Sequence, residues 1–303
     1  MAKNVLLTGG SGFIGSYLTK VLIDNGFSVS VLSRSDKKNT DLITFYKWDL
    51  EHNYIDEEAV LKADYIVHLA GEGIVEKSWT TKRKKALLES RIQPIDLIYA
   101  VLKKNNKLLD AFISASAVGI YGAVTNEEIC TEESPAENDF LGITCQKWEA
   151  ASDKITSLGI RTVKIRTGIV LGRKDGFLKK LSPGFKAGFG TILGTGKQYL
   201  PWIHVEDLCN IYLKAIQDEQ INGVYNATVL DNTSNETLSK TLANLYGYTI
   251  WLPKIPAFVL RLFLGEMSQV VLNGQRVSSE KIKQRGFKFR FKNLEAALSD
   301  CLS

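Results

Sequence analysis

Residues Val5-Leu6-Leu7-Thr8-Gly9-Gly10-Ser11-Gly12-Phe13-Ile14-Gly15 run an apolar, strand-like segment directly into glycines spaced Gly-x-x-Gly-x-x-Gly. Three requirements meet in that spacing. Gly9 makes the tight turn, Gly12 leaves room for a pyrophosphate to approach the backbone, and Gly15 lets a helix pack close to the strand. The N–H groups and positive dipole end of a helix opening around Ser11 to Ile14 then face an anion. Downstream, Tyr17 to Gly26 carries apolar residues at helical spacing and ends on glycine, a helix stop signal. A second apolar strand, Phe27 to Leu32, follows at once. Strand, helix and strand within about thirty residues predict a dinucleotide-binding unit.

The end of the second strand selects the nucleotide. An acidic residue there would hydrogen-bond the adenosine ribose and repel a 2′-phosphate, whereas a basic residue attracts the phosphate. The chain has Ser33-Arg34-Ser35, with Lys37 and Lys38 beyond and Asp36 as the first acid. Arg34 is therefore the expected 2′-phosphate ligand and NADP(H) the expected cofactor. The plainer alternative is a solvated loop arginine.

At 303 residues and 45% hydrophobic, the chain can bury a large core, enough for one big domain with a smaller lobe. Its apolar runs are strand-sized and none approaches the length of a membrane span. The first strand starts near the first residue and leaves no room for a signal peptide, so a cytoplasmic location is expected. Cys130, Cys145, Cys209 and Cys301 have no paired spacing and read as free thiols, not as disulfides or a zinc site. A net charge of +5 is mild, and clusters such as Lys82-Arg83-Lys84-Lys85 fall on expected helix faces. These features argue for a small-molecule substrate and against nucleic-acid or membrane partners. A homodimer is left open.

Beyond residue 33, short apolar segments alternate with helical ones at Thr44 to Trp48, Tyr65 to Ala70, Ala111 to Ser114 and Arg161 to Ile165. The pattern predicts an α/β fold: a doubly wound parallel sheet, Rossmann-like, with a smaller C-terminal α+β lobe. Sheets of this kind bind ligands beyond the carboxyl ends of their strands, which draws attention to Asp49, Leu69 to Glu72, Ser114 to Gly122 and Arg166 to Gly172. Trp79 to Asn105 reads as one or two long amphipathic helices, with Pro94 marking the expected break. The expected domains are a nucleotide-binding unit at 1–165, to which part of 200–230 returns, and a substrate lobe at 166–303 that ends in a basic, helical segment at 250–303. Mid-strand His68 reads as a satisfied core histidine, and His204 as a structural residue at the start of a helix.

Five motifs occur in order: Thr8 to Gly15, His68-Leu69-Ala70-Gly71, Ser116 through Tyr121-Gly122, Arg166-Thr167-Gly168-Ile169-Val170-Leu171-Gly172, and Trp202-Ile203-His204-Val205-Glu206-Asp207-Leu208. Over essentially its whole length the chain resembles the extended short-chain dehydrogenase/reductases, the NAD(P)-dependent epimerase/dehydratase group. More narrowly it is similar to an epimerase-like subgroup marked by Glu89-Ser90-Arg91, Ser116 to Gly122 and Trp148-Glu149. That subgroup has its own C-terminal domain, which Leu264-Gly265-Glu266-Met267 and Gly274-Gln275-Arg276-Val277 resemble. The resemblance implies that Gly9, Ser11, Gly12, Phe13, Ile14 and Gly15 hold the pyrophosphate, Arg34 the 2′-phosphate, and Asp49 with Leu50 the adenine side. Leu69, Ala70, Gly71 and Glu72 would pass along the nicotinamide ribose. Ser116 falls near the hydroxyl that polarises a substrate oxygen in the family. Its spacing to Tyr121-Gly122 is one residue longer than usual, so Ala117 is an alternative occupant of that slot. Tyr121 is the second catalytic candidate.

The family's Tyr-x-x-x-Lys pair is missing. Aligning Trp148-Glu149 with the end of that motif puts Leu141 at the tyrosine position and Cys145 at the lysine position. Leucine has no proton to give, and cysteine supplies no fixed positive charge. Tyr121, Lys147, Glu149 and His204 remain as proton carriers. The expected function is an NADP(H)-dependent oxidoreductase or epimerase acting on a small polar carbonyl or alcohol, sugar nucleotides included. The competing reading is a non-catalytic NADP(H)-binding regulator or sensor.

Overall fold

The structure, a computed structural model, describes residues 2–123, 125–173, 176–229 and 231–303. The chain opens with β1 (Asn4–Thr8), α1 (Phe13–Asp24), β2 (Ser28–Ser33), β3 (Ile43–Asp49), β4 (Tyr54–Ile55) and α2 (Glu57–Leu61). It continues through β5 (Tyr65–His68), α3 (Thr81–Lys104), β6 (Ala111–Ala117), β7 (Ile129–Cys130), α4 (Phe140–Thr156) and β8 (Thr162–Thr167). The remainder comprises β9 (Ile169–Leu171), α5 (Gly176–Lys186), β10 (Trp202–His204), α6 (Val205–Gln217), β11 (Gly223–Ala227) and α7 (Asn235–Leu245). Last come α8 (Ala257–Leu264), α9 (Gln269–Leu272), β12 (Arg276–Val277), α10 (Glu280–Gln284) and α11 (Leu294–Leu302).

One eight-stranded sheet runs in the order β11-β8-β6-β5-β1-β2-β3-β4, parallel except for the short β3–β4 pair. The chain builds outward from β1 through β4, then returns and builds the other way from β5. The order therefore reverses between β1 and β5, and the crevice at that point is where such sheets take their ligands. Alternation along each strand feeds both faces. Val5 and Leu7 point to the side covered by α1 and α6, where Leu18, Leu22, Leu208 and Ile211 are buried with them. Leu6, Ile66 and Phe112 point to the other, against Ile95 and Ile98 of α3 and Trp148 and Ile155 of α4. A separate core of Leu171, Phe185, Trp202, Leu238 and Leu298 is built around the β9–β10 pair, α5, α7 and α11.

The expected break at Pro94 does not occur: α3 is a single helix of 24 residues with Pro94 buried inside it. Proline removes one helical N–H bond, but Leu87, Ile95, Ile98, Val101 and Leu102 are buried on the same helix. Thr80 caps its start by accepting from the Arg83 N–H at 3.1 Å. Burial of that face offsets the lost bond, and the helix continues.

The β1–α1 turn shows why its glycines stand where they do. Gly9 has φ +70°, and a Cβ there would lie 2.9 Å from the Ala70 nitrogen. At Gly15 a Cβ would lie 2.2 Å from the Gly9 carbonyl oxygen, well inside contact distance. Alanine at Gly15 would gain about 1 kcal/mol in helix propensity, but overpacking against backbone costs about 1–3 kcal/mol or more. Gly26, by contrast, has open space around its Cβ position and only its φ of +82° to satisfy. Urea denaturation should therefore show Gly15→Ala to be clearly more destabilising than Gly26→Ala, and the reverse order would contradict the close approach of α1 to the turn.

Candidate functional site

The helix N-terminus that faces the crevice is prepared for an anion. Asp56, Thr80, Asp139, Ser234 and Asn293 cap α2, α3, α4, α7 and α11 with side-chain acceptors. The cap of α1 is Gly12, with no side-chain acceptor and no acidic residue in the first turn. Its leading N–H groups are thus left to a ligand, and Gly12 keeps the approach clear of side chain. The Phe13 side chain turns away and packs: a Cβ at Gly172 or Gly176 would fall within 2.5 and 2.8 Å of its ring. These features suit a pyrophosphate.

At the tip of β2, the Ser33 hydroxyl donates to the Ser35 carbonyl at 2.7 Å and shapes a turn with Arg34 at its apex. Arg34 is exposed. The nearest acid in sequence, Asp36, is engaged by Lys47 at 3.3 Å. At the tip of β3, the Asp49 carboxylate accepts from the Glu51 and His52 N–H groups at 3.0 and 3.3 Å and pairs with the His52 ring at 2.8 Å. The bond to His52 holds its pKa below the usual carboxylate value. Asp49 is thus turned into its own loop, and Leu50 packs partly buried against the core behind it.

On the other side of the switch point, the loop after β5 is fixed from below and from α3. The Thr8 hydroxyl accepts from the Leu69 and Ala70 N–H groups at 3.2 and 3.1 Å. Its own proton therefore goes to His68 Nδ1, 2.7 Å away, so the other ring nitrogen carries the hydrogen and donates to the Arg91 carbonyl at 3.2 Å. Burial pushes the His68 pKa down to about 3. It is a neutral, satisfied core histidine, as its mid-strand position suggests. From α3, Arg83 pairs with the Glu72 carboxylate and donates to the Gly73 carbonyl at 2.8 Å. Ser90 accepts from the Glu72 N–H at 3.1 Å, and Arg91 donates to the Glu72 carbonyl at 2.9 Å. Glu72 was expected beside a ribose; its backbone lines the crevice, but its carboxylate is spent on Arg83. Arg83, Ser90 and Arg91 carry no local signal for this task, because they lie a helix away from the loop they hold.

Ser116, Tyr121, Glu149 and Arg166 come together in one buried network. Arg166 forks onto Glu149, Nε to Oε1 at 2.8 Å and Nη2 to Oε2 at 2.9 Å. Ser116 donates to Glu149 Oε1 at 2.7 Å. Tyr121 accepts from Arg166 at 2.9 Å and donates to Asn226 Oδ1 at 2.7 Å. Burial raises the Tyr121 pKa to about 12. Burial works against the Arg166 charge, but its bonds to Glu149 outweigh that and hold its pKa above the usual value. Ser116 and Tyr121 are 2% and 3% exposed, and both hydroxyl protons are already directed at protein acceptors. Leu141 and Cys145 stand where a Cβ on Gly119 would meet them, at 3.4 and 3.8 Å. Burial raises the Cys145 thiol to about 12, so it is neutral at physiological pH. Lys147 is solvent-exposed on the outer face of α4. His204 starts α6 by accepting from the Glu206 N–H at 3.3 Å and packs, tilted, against the Phe291 ring, away from this network.

The pattern of the NAD-dependent epimerase/dehydratase family matches residues 5–228, and a domain of unknown function matches 255–301. The chain belongs to the NAD-dependent epimerase/dehydratase family. Its relatives include the epimerase family protein YfhF of Bacillus subtilis, 35% identical across 99% of this chain and 98% of that protein. The epimerase family protein SAR0825 of Staphylococcus aureus is 31% identical across 99% of both chains. Among solved structures, the human epimerase family protein SDR39U1 (isoform 2), determined with NADPH, superposes with a TM-score of 0.86 at 28% identity over 98% of both chains. A nucleoside-diphosphate sugar epimerase from Corynebacterium glutamicum superposes with a TM-score of 0.80 at 31% identity, covering this whole chain and 58% of that one. A nicotinamide coenzyme is thus a family feature.

Within this epimerase-family chain, removing one partner of the Glu149–Arg166 pair leaves a buried charge uncompensated. Arg166→Met should therefore cost about 3–5 kcal/mol, and Ser116→Ala about 1 kcal/mol, by urea denaturation; equal losses would contradict the ranking. A second expectation concerns acid. His68 is neutral when folded but takes up a proton when unfolded, so stability should fall as pH drops from about 6.5 towards 3. His68→Asn should flatten that part of the curve, and an unchanged slope would mean His68 is not the group responsible.

Proposed function

We propose that the chain is an NADP(H)-dependent oxidoreductase of the extended short-chain type, cytoplasmic, acting on a small polar carbonyl or alcohol without the Tyr–Lys pair. Arg34 carries the choice of coenzyme: it is exposed at the apex of the turn after β2, with its neighbouring acid Asp36 held by Lys47. When bound, NADPH would supply a hydride to a carbonyl, or NADP⁺ accept one from an alcohol, and the protein is asked for proximity and orientation. The N–H groups of Ser11, Phe13 and Ile14 would hold the pyrophosphate, that of Gly12 being spent on the Gly9 carbonyl at 2.9 Å, and the strapped loop Leu69 to Glu72 would hold the nicotinamide half. Substrate room is supplied by a pocket of about 650 Å³ between the start of α4 and the α8–α9 segment, lined by Glu137, Asp139, Arg261, Glu266, Ser268 and Gln269. Its mixed charges suit a polar molecule. In this reading Ser116 and Tyr121 belong to the buried network and touch no substrate, and the substrate oxygen exchanges its proton with water reaching it through the pocket. A general acid contributes about 10²–10⁴-fold, so the expected reaction is slow.

The committed hydroxyls of Ser116 and Tyr121 favour a second reading, a non-catalytic NADP(H) sensor. NADPH oxidation in the presence of a panel of small aldehydes and ketones separates the two: turnover above the protein-free rate supports the oxidoreductase, and binding without turnover the sensor. The coenzyme assignment is tested by titration calorimetry with NADPH and NADH. NADPH should bind at least about tenfold tighter, as befits a charge-assisted phosphate contact, and Arg34→Ala should erase most of the difference. Equal affinities in the unmodified protein would refute the role of Arg34.

A further inference from the structure

We propose that Arg91 places an unneutralised positive charge beside the nicotinamide half of the coenzyme site, and that this charge makes the protein hold NADPH in preference to NADP⁺. The proposal rests on the coenzyme reading above and adds a redox preference to it. Arg91 rises from α3 under the loop that follows β5. A Cβ on Gly71 would fall 3.3 Å from its Cγ, 3.4 Å from its Cζ and 3.6 Å from its Nε, so the guanidinium lies directly against the Gly71 backbone. That loop lies across the switch point from Arg34, and the Ala70 nitrogen comes within 2.9 Å of a Cβ built on Gly9. With the 2′-phosphate at β2 and the pyrophosphate at α1, the nicotinamide half must extend towards β5 and β6, where this loop and Arg91 stand.

The charge has only neutral partners. Nη1 donates to the Leu87 carbonyl at 2.7 Å, Nη2 donates to the Glu72 carbonyl at 2.9 Å, and the Trp148 ring lies with its centroid 5.2 Å from Cζ. Among the described residues no carboxylate forms an ion pair with it. The nearby acids are taken, Glu72 by Arg83 and Glu149 by Arg166. Of the other titratable neighbours, His68 and Cys145 are neutral at physiological pH and Arg83 is a second cation. Burial lowers the Arg91 pKa, but an arginine keeps its proton. The main chain of Arg91 is anchored as well, through its carbonyl to His68. A positive charge held in place acts differently on the two redox forms, because the oxidised nicotinamide ring carries a positive charge and the reduced ring does not. At separations of several ångström in a partly buried site, such a repulsion amounts to about tenfold or more in relative affinity.

The dissociation constants of NADPH and NADP⁺ are to be measured by calorimetry for the unmodified protein, Arg91→Gln and Arg91→Lys. The unmodified protein should bind NADPH more tightly. The ratio of Kd for NADP⁺ to Kd for NADPH should drop about tenfold in Arg91→Gln and recover in Arg91→Lys. If Arg91 merely pins the loop, the glutamine variant loses affinity for both forms equally and the ratio stays put, which overturns the proposal while leaving the coenzyme site standing. NADP⁺ binding as tightly as NADPH in the unmodified protein also overturns it, whether or not the variants fold. Failure of both coenzymes to bind would remove the underlying coenzyme reading along with it.

Discussion

The contact between the Gly15 α-carbon and the Gly9 carbonyl is the constraint on which the rest of the molecule hangs. Because no side chain separates them, α1 starts at once after β1 and aims its uncapped end at the point where the sheet changes direction. The same tight turn brings Gly9 against Ala70, so the tips of β1 and β5 form one surface. Any ligand lying there is read from both halves of the sheet. Thr8, directly before the turn, completes the arrangement by taking two N–H groups from the neighbouring loop.

What could be read from the chain was local. The glycine triplet acts through the backbone it sits on, and Arg34 was read from its place at a strand tip, so neither reading needed knowledge of distant contacts. The strand-and-helix alternation likewise announced the parallel sheet, since burial on both faces leaves continuous apolar runs. Pro94 misled because propensity concerns an isolated helix, whereas α3 is held by a face buried against the sheet and α4. Arg91 could not be assigned a task, because its partners Gly71 and Glu72 lie some twenty residues away in sequence, within Glu89-Ser90-Arg91 only a marker of resemblance. The fates of Ser116 and Tyr121 were hidden for a similar reason: their acceptors Glu149 and Asn226 are 33 and 105 residues distant.

The distribution of charge separates structure from chemistry. Acids near the cleft are neutralised by arginines: Glu149 lies in a buried fork with Arg166, and the part-exposed Glu72 pairs with Arg83. Two other arginines, Arg34 and Arg91, stand on opposite sides of the switch point and are offered no carboxylate among the described residues. A buried ion pair gives little net stability and is costly to break, so the paired arginines read as scaffold. The unpaired ones are the two that the proposed coenzyme site would use. One faces where a phosphate would lie and the other where a ring would change charge on oxidation, and this asymmetry suits a protein that handles a phosphorylated, redox-active dinucleotide.

The central claim concerns where that dinucleotide lies, and a crystal structure of the protein grown with NADPH tests it most directly. The pyrophosphate should lie on the N–H groups of Ser11, Phe13 and Ile14, the 2′-phosphate within hydrogen-bonding distance of Arg34, and the nicotinamide ribose along Leu69 to Glu72. A coenzyme bound elsewhere, or one reversed so that its nicotinamide lies beside Arg34, would contradict it.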